Sequence, residues 1–189
     1  MKAIALGVLL GLGACQTANE PVGPYTSQSE AARDTARAEQ LNREAADLLG
    51  NDDARAEGLL REALTADLFH GPSHNNLGVV YLGQGKLYEA AGEFEWAKKL
   101  MPGHPDPRVN LGLVMEAAGR NDEAMASYEA ALEVWPGYLP AIQGAASLVL
   151  RSGEKNDARL AGWLDEVSLR GDEGWREWAR SRRRERVRN

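Results

Sequence analysis

Three histidines, His70, His74 and His104, and two pairs of adjacent acids, Asp52-Asp53 and Asp122-Glu123, have side chains suited to metal binding or proton transfer. A metal site needs three or four ligands converging on one point. His70 and His74 are four residues apart, but Gly71-Pro72 interrupts any helix that would bring them together, and no further ligand is apparent nearby. The acid pairs each open a run of helical periodicity, where carboxylates cap a helix or complement its dipole. No nucleophile elbow, phosphate-binding glycine loop or zinc-type cysteine spacing occurs. The chain is expected not to be an enzyme, and no cofactor, metal or small-molecule substrate is expected. Binding is the expected work.

The single cysteine, Cys15, excludes an internal disulfide framework and lies in a different context. Met1-Lys2 is a short cationic start, and Ala3 to Leu12 is mostly apolar. That stretch falls short of the roughly 20 residues a membrane span requires. It reads instead as the hydrophobic region of a secretory signal, residues 1–14. The sequence Leu12-Gly13-Ala14-Cys15 resembles the lipobox of bacterial lipoproteins. The resemblance implies cleavage before Cys15 and lipidation of its thiol and new amino group, with palmitate among the acyl chains. Gln16 rather than Asp follows, which in Gram-negative families implies an outer-membrane anchor facing the periplasm. Two or more acyl chains make such an anchor stable. Residues 15–29 comprise the lipidated cysteine and a polar stretch with Pro, Gly, Ser and Thr throughout. That stretch is expected to be a flexible tether spanning roughly 20 Å.

Beyond the tether, Asn76-Leu77-Gly78 recurs as Asn110-Leu111-Gly112, 34 residues later. Gly85 is echoed by Gly119, Ala90 by Ala124, Phe94 by Tyr128, Ala97 by Ala131, and Pro102 by Pro136. A gapless period of this length marks a helical solenoid, in which each helix pair buries its apolar face against its neighbours. The order Leu-Gly, a bulky residue, Ala, an aromatic, Ala and Pro resembles the tetratricopeptide repeat (TPR). The expected fold is all-α: a right-handed solenoid of antiparallel helix pairs, about three to four repeats, with a C-terminal capping helix.

The repeat domain is expected over residues 30–170, in units 37–70, 71–104, 105–138 and 139–170. In the two central units helix A begins near Pro72 or Pro107 and ends at Gly85 or Gly119, with Asp106 as an N-cap. Helix B then runs from Leu87 to Leu100, and from Asp122 to Val134. The outer units are weaker. The first lacks an Asn-Leu-Gly, and its helix A is expected to start as early as Ser29 or Glu30. The last keeps Pro140, Gly153 and Ala158 in register but has Gly162 and Asp165 in place of an aromatic and an alanine.

By the TPR resemblance, the A helices line a concave groove for a protein partner. The positions carried over are Asn75, Asn76, Val79 and Leu82 in one unit, and Asp106, Val109, Asn110, Leu113 and Glu116 in the next. A carboxamide both donates and accepts, which suits the backbone of an extended segment. The lysines of the carboxylate-clamp subclass are absent, and Arg108 sits one position off. The groove is expected to take an extended peptide or a partner helix.

Charge is distributed unevenly: residues 3–169 carry 13 basic and 24 acidic side chains, whereas 170–189 carry eight arginines against four acids. Trp175 and Trp178, three apart, are expected to share a helical face and close the solenoid against Trp163 or Leu164 over residues 171–189. The arginines behind them suit either solvent or an anionic surface, and nucleic acid is not an expected partner of an exported chain. The whole is similar to lipoproteins that support pilus and secretion-channel assembly. Alternatives are a regulator docking cell-wall enzymes and a self-associating structural protein of the envelope.

Overall fold

The computed structural model describes residues 33–153 and 157–188, with side chains as far as residue 185. The signal segment, Cys15 and the tether lie outside the described residues. The described elements are α1 (Thr35–Ala46), α2 (Asp53–Ala66), α3 (Gly71–Gly83), α4 (Leu87–Leu100), α5 (Asp106–Ala117), α6 (Asn121–Val134), α7 (Leu139–Ser152), α8 (Leu160–Arg170) and α9 (Glu173–Arg188), and none of these residues forms a strand. Each odd-numbered helix up to α7 pairs with the even one after it, and α9 packs on α8. The expected all-α TPR solenoid with a terminal capping helix is the fold observed.

The 34-residue period has a steric origin. A Cβ on Gly78 would lie 2.6 Å from a ring carbon of Phe94, and one on Gly112 would lie 2.5 Å from the ring of Tyr128. Both rings are fully buried, so glycine on helix A is what lets the aromatic of helix B cross against it. Ala90, Ala97, Ala124 and Ala131, also fully buried, keep the backbones close on the same face of helix B. Gly85 and Gly119 close the A helices at φ +73°, two residues beyond the last helical residue rather than at it. There the Lys86 N–H reaches Tyr81 O at 2.9 Å and the Arg120 N–H reaches Met115 O at 2.8 Å. This is a six-residue closure that requires a left-handed residue.

The helix starts differ from expectation in two places. Helix α1 begins at Thr35, not at residue 29 or 30, because Asp34 caps it by accepting from the Arg37 N–H at 2.9 Å. Asp106 is the first helical residue of α5, preceded by Pro105, and does not cap it. The acid pairs sit as expected: Asp52 caps α2, and Asp122 and Glu123 occupy the first turn of α6, which has no side-chain cap.

The fourth unit departs most from the period. Ala158, in register with buried Ala90 and Ala124, is exposed in the turn before α8. The core there is rebuilt from Leu160, Leu164 and Val167, against which Ala179, Trp163, Trp175 and Trp178 pack. The two tryptophans of α9 meet edge to face at 5.0 Å, and the expected aromatic closure of the solenoid is in place.

Candidate functional site

Helix α1 touches α3, α3 touches α5, and α5 touches α7, whereas α2, α4 and α6 make no contact with one another. A layer that closes up on one side and splays on the other must curve toward the closed side. The odd-numbered helices therefore line the concave face, as the repeat pattern implied.

Along that face the asparagines form one chain of side-chain amides. Asn110 Nδ2 donates to Asn75 Oδ1 at 2.9 Å, Asn75 Nδ2 to Asn76 Oδ1 at 3.4 Å, and Asn76 Nδ2 to Asn42 Oδ1 at 2.9 Å. Asn75, Asn76 and Asn110 thus come together on this face, where they bond to one another across α3 and α5. Asn42, 7% exposed on α1, completes the chain and was not among the expected residues. It stands 34 residues before Asn76, so the period alone marks the position, although Arg43-Glu44 follow it in place of Leu-Gly.

The remaining expected positions divide. Leu113 is exposed on the concave helix α5, while Val79 and Leu82 are half-buried and pack against the core of the first two units. Val109 is buried at 7% among Ala124, Tyr128, Ala141 and Ala145, and its contribution is packing. Asp106 accepts a hydrogen bond from the Tyr138 hydroxyl, and Glu116 accepts one from the Tyr128 hydroxyl while also pairing with Arg151 of α7. Glu116 is therefore paired with a cation of α7, whereas Asp106 is hydrogen-bonded to a neutral phenol. Burial pushes the Tyr128 hydroxyl up to about 12. Tyr138 is raised as well, by burial and then by its bond to Asp106. Both phenols stay protonated donors across the physiological range.

The histidines serve the walls between repeats. His70 caps α3: its Nδ1 accepts from the Ser73 N–H at 3.3 Å, and its Nε2 lies 3.1 Å from Glu39 Oε2 on α1. His74 sits with Nδ1 2.6 Å from Glu93 Oε2 and Nε2 2.9 Å from Leu68 O, its ring stacked 5.8 Å from Trp96. His104 is half-exposed beside Asp106. No group of three or more metal-ligating side chains gathers among the described residues. Arg108, considered above for a carboxylate clamp, donates to the backbone of His104 at 3.0 Å.

Paired antiparallel helices, a 34-residue period and inward-facing A helices define a TPR-type solenoid. The same fold is found in the crystal structure of MamA, which is 20% identical with a TM-score of 0.62, covering 70% of this chain and 80% of that one. The first TPR domain of Spaghetti (RPAP3), bound to the HSP90 peptide SRMEEVD, is 18% identical with a TM-score of 0.60, covering 65% of this chain and 98% of that one. An O-GlcNAc transferase mutant from Thermobaculum terrenum is 25% identical with a TM-score of 0.65; the match covers 71% of this chain but 26% of the transferase. No protein-family model matches the chain, and no curated protein matches it in sequence.

Proposed function

We propose that the protein is a membrane-anchored TPR adaptor of the bacterial cell envelope, holding an extended segment or helix of a partner protein on its concave face, and that it carries out no catalysis. The observation that carries this reading is the amide chain from Asn42 to Asn110. Asn110 Oδ1 has no partner among the described residues, so the chain ends in an acceptor for a peptide N–H, with Leu113 exposed one turn further along α5. Because Glu116 is already paired with Arg151 and Asp106 already accepts from Tyr138, the groove favours an uncharged backbone over a charged terminus. The RPAP3 domain, of the same fold, is bound to a peptide, which supports a protein as the partner. The Leu12-Gly13-Ala14-Cys15 signature supports the anchor. Among envelope functions we infer assembly of a pilus or secretion apparatus; docking of cell-wall enzymes and self-association are the alternatives.

Replacing Asn76 and Asn110 together by Ala is expected to abolish recovery of the partner in an envelope pull-down while leaving the helical circular-dichroism signal intact. Unchanged recovery would remove the groove from the proposal and favour self-association or the basic tail. Separately, Cys15→Ala is expected to move the protein to the soluble fraction, and continued membrane retention would refute the lipid anchor.

A further inference from the structure

Helix α9 has two faces of opposite character. Trp175, Trp178 and Ala179 turn inward against α8, so the helix is fixed to the body by an aromatic contact. On the outside, Arg176, Arg180 and Arg184 follow one another at four-residue steps, all exposed, and line a shallow hollow of about 420 Å³ together with Glu173 and Glu177. Their neighbours are paired: Arg182 with Glu185 at 2.9 Å and Arg183 with Asp165 at 2.9 Å. The three stripe arginines have no ion-pair partner among the described residues.

At 1.5 Å rise per residue the stripe extends about 12 Å along one side of the helix. Glu173 precedes the stripe and Glu177 lies between Arg176 and Arg180, and the positive surplus grows toward the C-terminus, where residues 180–188 hold six arginines against Glu185. A single phosphate would engage one guanidinium; a row of them fits a surface that presents many phosphates at once. Residues 3–169 are net acidic, so an anionic plane attracts this end of the molecule and repels the rest. A long polyanion lying across the body meets that repulsion, whereas a membrane touched only at α9 does not. On the envelope reading the chain is also tied to a membrane at its other end, through lipidated Cys15.

We propose that the outer face of α9 docks on anionic phospholipid headgroups, its unpaired guanidinium groups on lipid phosphates. This sets the orientation of the solenoid on the membrane, and it rests on the envelope reading above. The test uses the chain from residue 15 onward, which contains every described helix. It carries Cys15→Ala, so that neither the apolar leader nor an acyl chain contributes.

Flotation with vesicles of phosphatidylcholine alone, or mixed with phosphatidylglycerol, is expected to show binding only to the mixture and release by added salt. The triple variant R176Q/R180Q/R184Q is expected to bind on the order of 100-fold more weakly. R176K/R180K/R184K, which keeps the charge, is expected to restore most of the binding, and this guards against a folding defect. Equal binding to both vesicle types, or wild-type affinity in the glutamine variant, would overturn the proposal. So would retention on heparin or polyglutamate without any vesicle binding. Because Cys15 is absent from the tested chain, such a failure leaves the anchor reading standing, to be judged by fractionation of the full chain.

Discussion

From α1 to α5, asparagines tie each A helix to the next through side-chain amides, Asn42 to Asn76 at the repeating position and Asn75, one residue before it, to Asn110. From α5 to α7 the same position is Gly144, and the ring of Tyr128 fills the space: a Cβ on Gly144 would lie 2.6 Å from that ring. Tyr128 is thus clasped between Gly112 of its own repeat and Gly144 of the next, and its hydroxyl reaches Glu116, which Arg151 also holds. The two halves bridge the same gap by different means. An amide pair contributes about 1 kcal/mol net but demands a definite register. A buried ring contributes several times that through area and packing. The seams from α1 to α5 are therefore tied by polar register and the seam from α5 to α7 by a buried ring, so the side-chain amides lie on α1, α3 and α5.

The largest expected effect tests the packed half. Tyr128→Ala should cost about 4 kcal/mol in urea unfolding, because it empties a fully buried site shared by two repeats. Tyr128→Phe keeps the ring and removes only the bond to Glu116, so about 1 kcal/mol is expected. If the two substitutions cost the same, the hydroxyl network rather than the ring holds α5 to α7, and the contrast between the halves fails.

At the opposite end a buried carboxylate replaces the ring as the anchor. Asp67, fully buried, accepts from Arg33 at 2.7 and 3.0 Å, from Thr35 at 2.8 Å and from the Phe69 N–H at 3.0 Å. Burial pushes its carboxyl up, but the bonds from Arg33, Thr35 and Phe69 outweigh that and hold it below the ordinary value. A depressed native pKa stabilises the fold above the unfolded value of about 4, and the stabilisation is lost as pH falls through the native one. Arg33→Ala should cost about 2 kcal/mol at neutral pH, Arg33 being part-exposed, and should flatten the acid loss below about pH 4. Chemical denaturation as a function of pH measures both; an unchanged slope would mean that Asp67 is held by Thr35 and the backbone alone.

What the sequence made legible follows from how local each cause is. The helix pairs, the left-handed glycines and the crossings of Gly78 on Phe94 and Gly112 on Tyr128 each lie within one 34-residue unit, so spacing reveals them. Asn42 is also in register, but its neighbours Arg43 and Glu44 break the spelling that draws attention to Asn76. The neutralisation of Glu116 depends on Arg151 from the following unit, 35 residues away and out of register. The hydrogen bond that Asp106 accepts comes from Tyr138, across the turn that opens α7. The same holds for α8, where Leu160 and Leu164 rather than Ala158 face the core, because the helix begins only at Leu160. Contacts between repeats, unlike those within them, leave little trace in a period.

The smallest expected effect bears most directly on the amide chain. Asn42→Ala removes the final acceptor and leaves the Asn76 Nδ2 half-buried without a partner, so about 1 kcal/mol is expected. A magnitude that small does not by itself separate a ladder from a set of solvated amides. A double-mutant cycle does. If the amides form one chain, Asn42→Ala and Asn76→Ala should show coupling on the order of 0.5 kcal/mol or more, while Asn42→Ala and Asn110→Ala, two helices apart, should be nearly additive. Additivity in both cycles would mean that the amides act singly, and the distinction between an amide-tied half and a ring-filled half would shrink to the ring. Strong coupling in both would mean that the 3.4 Å step between Asn75 and Asn76 transmits as well as the shorter ones. In that case a backbone N–H bound at Asn110 would be felt at α1, and the concave face would respond to a partner as a unit.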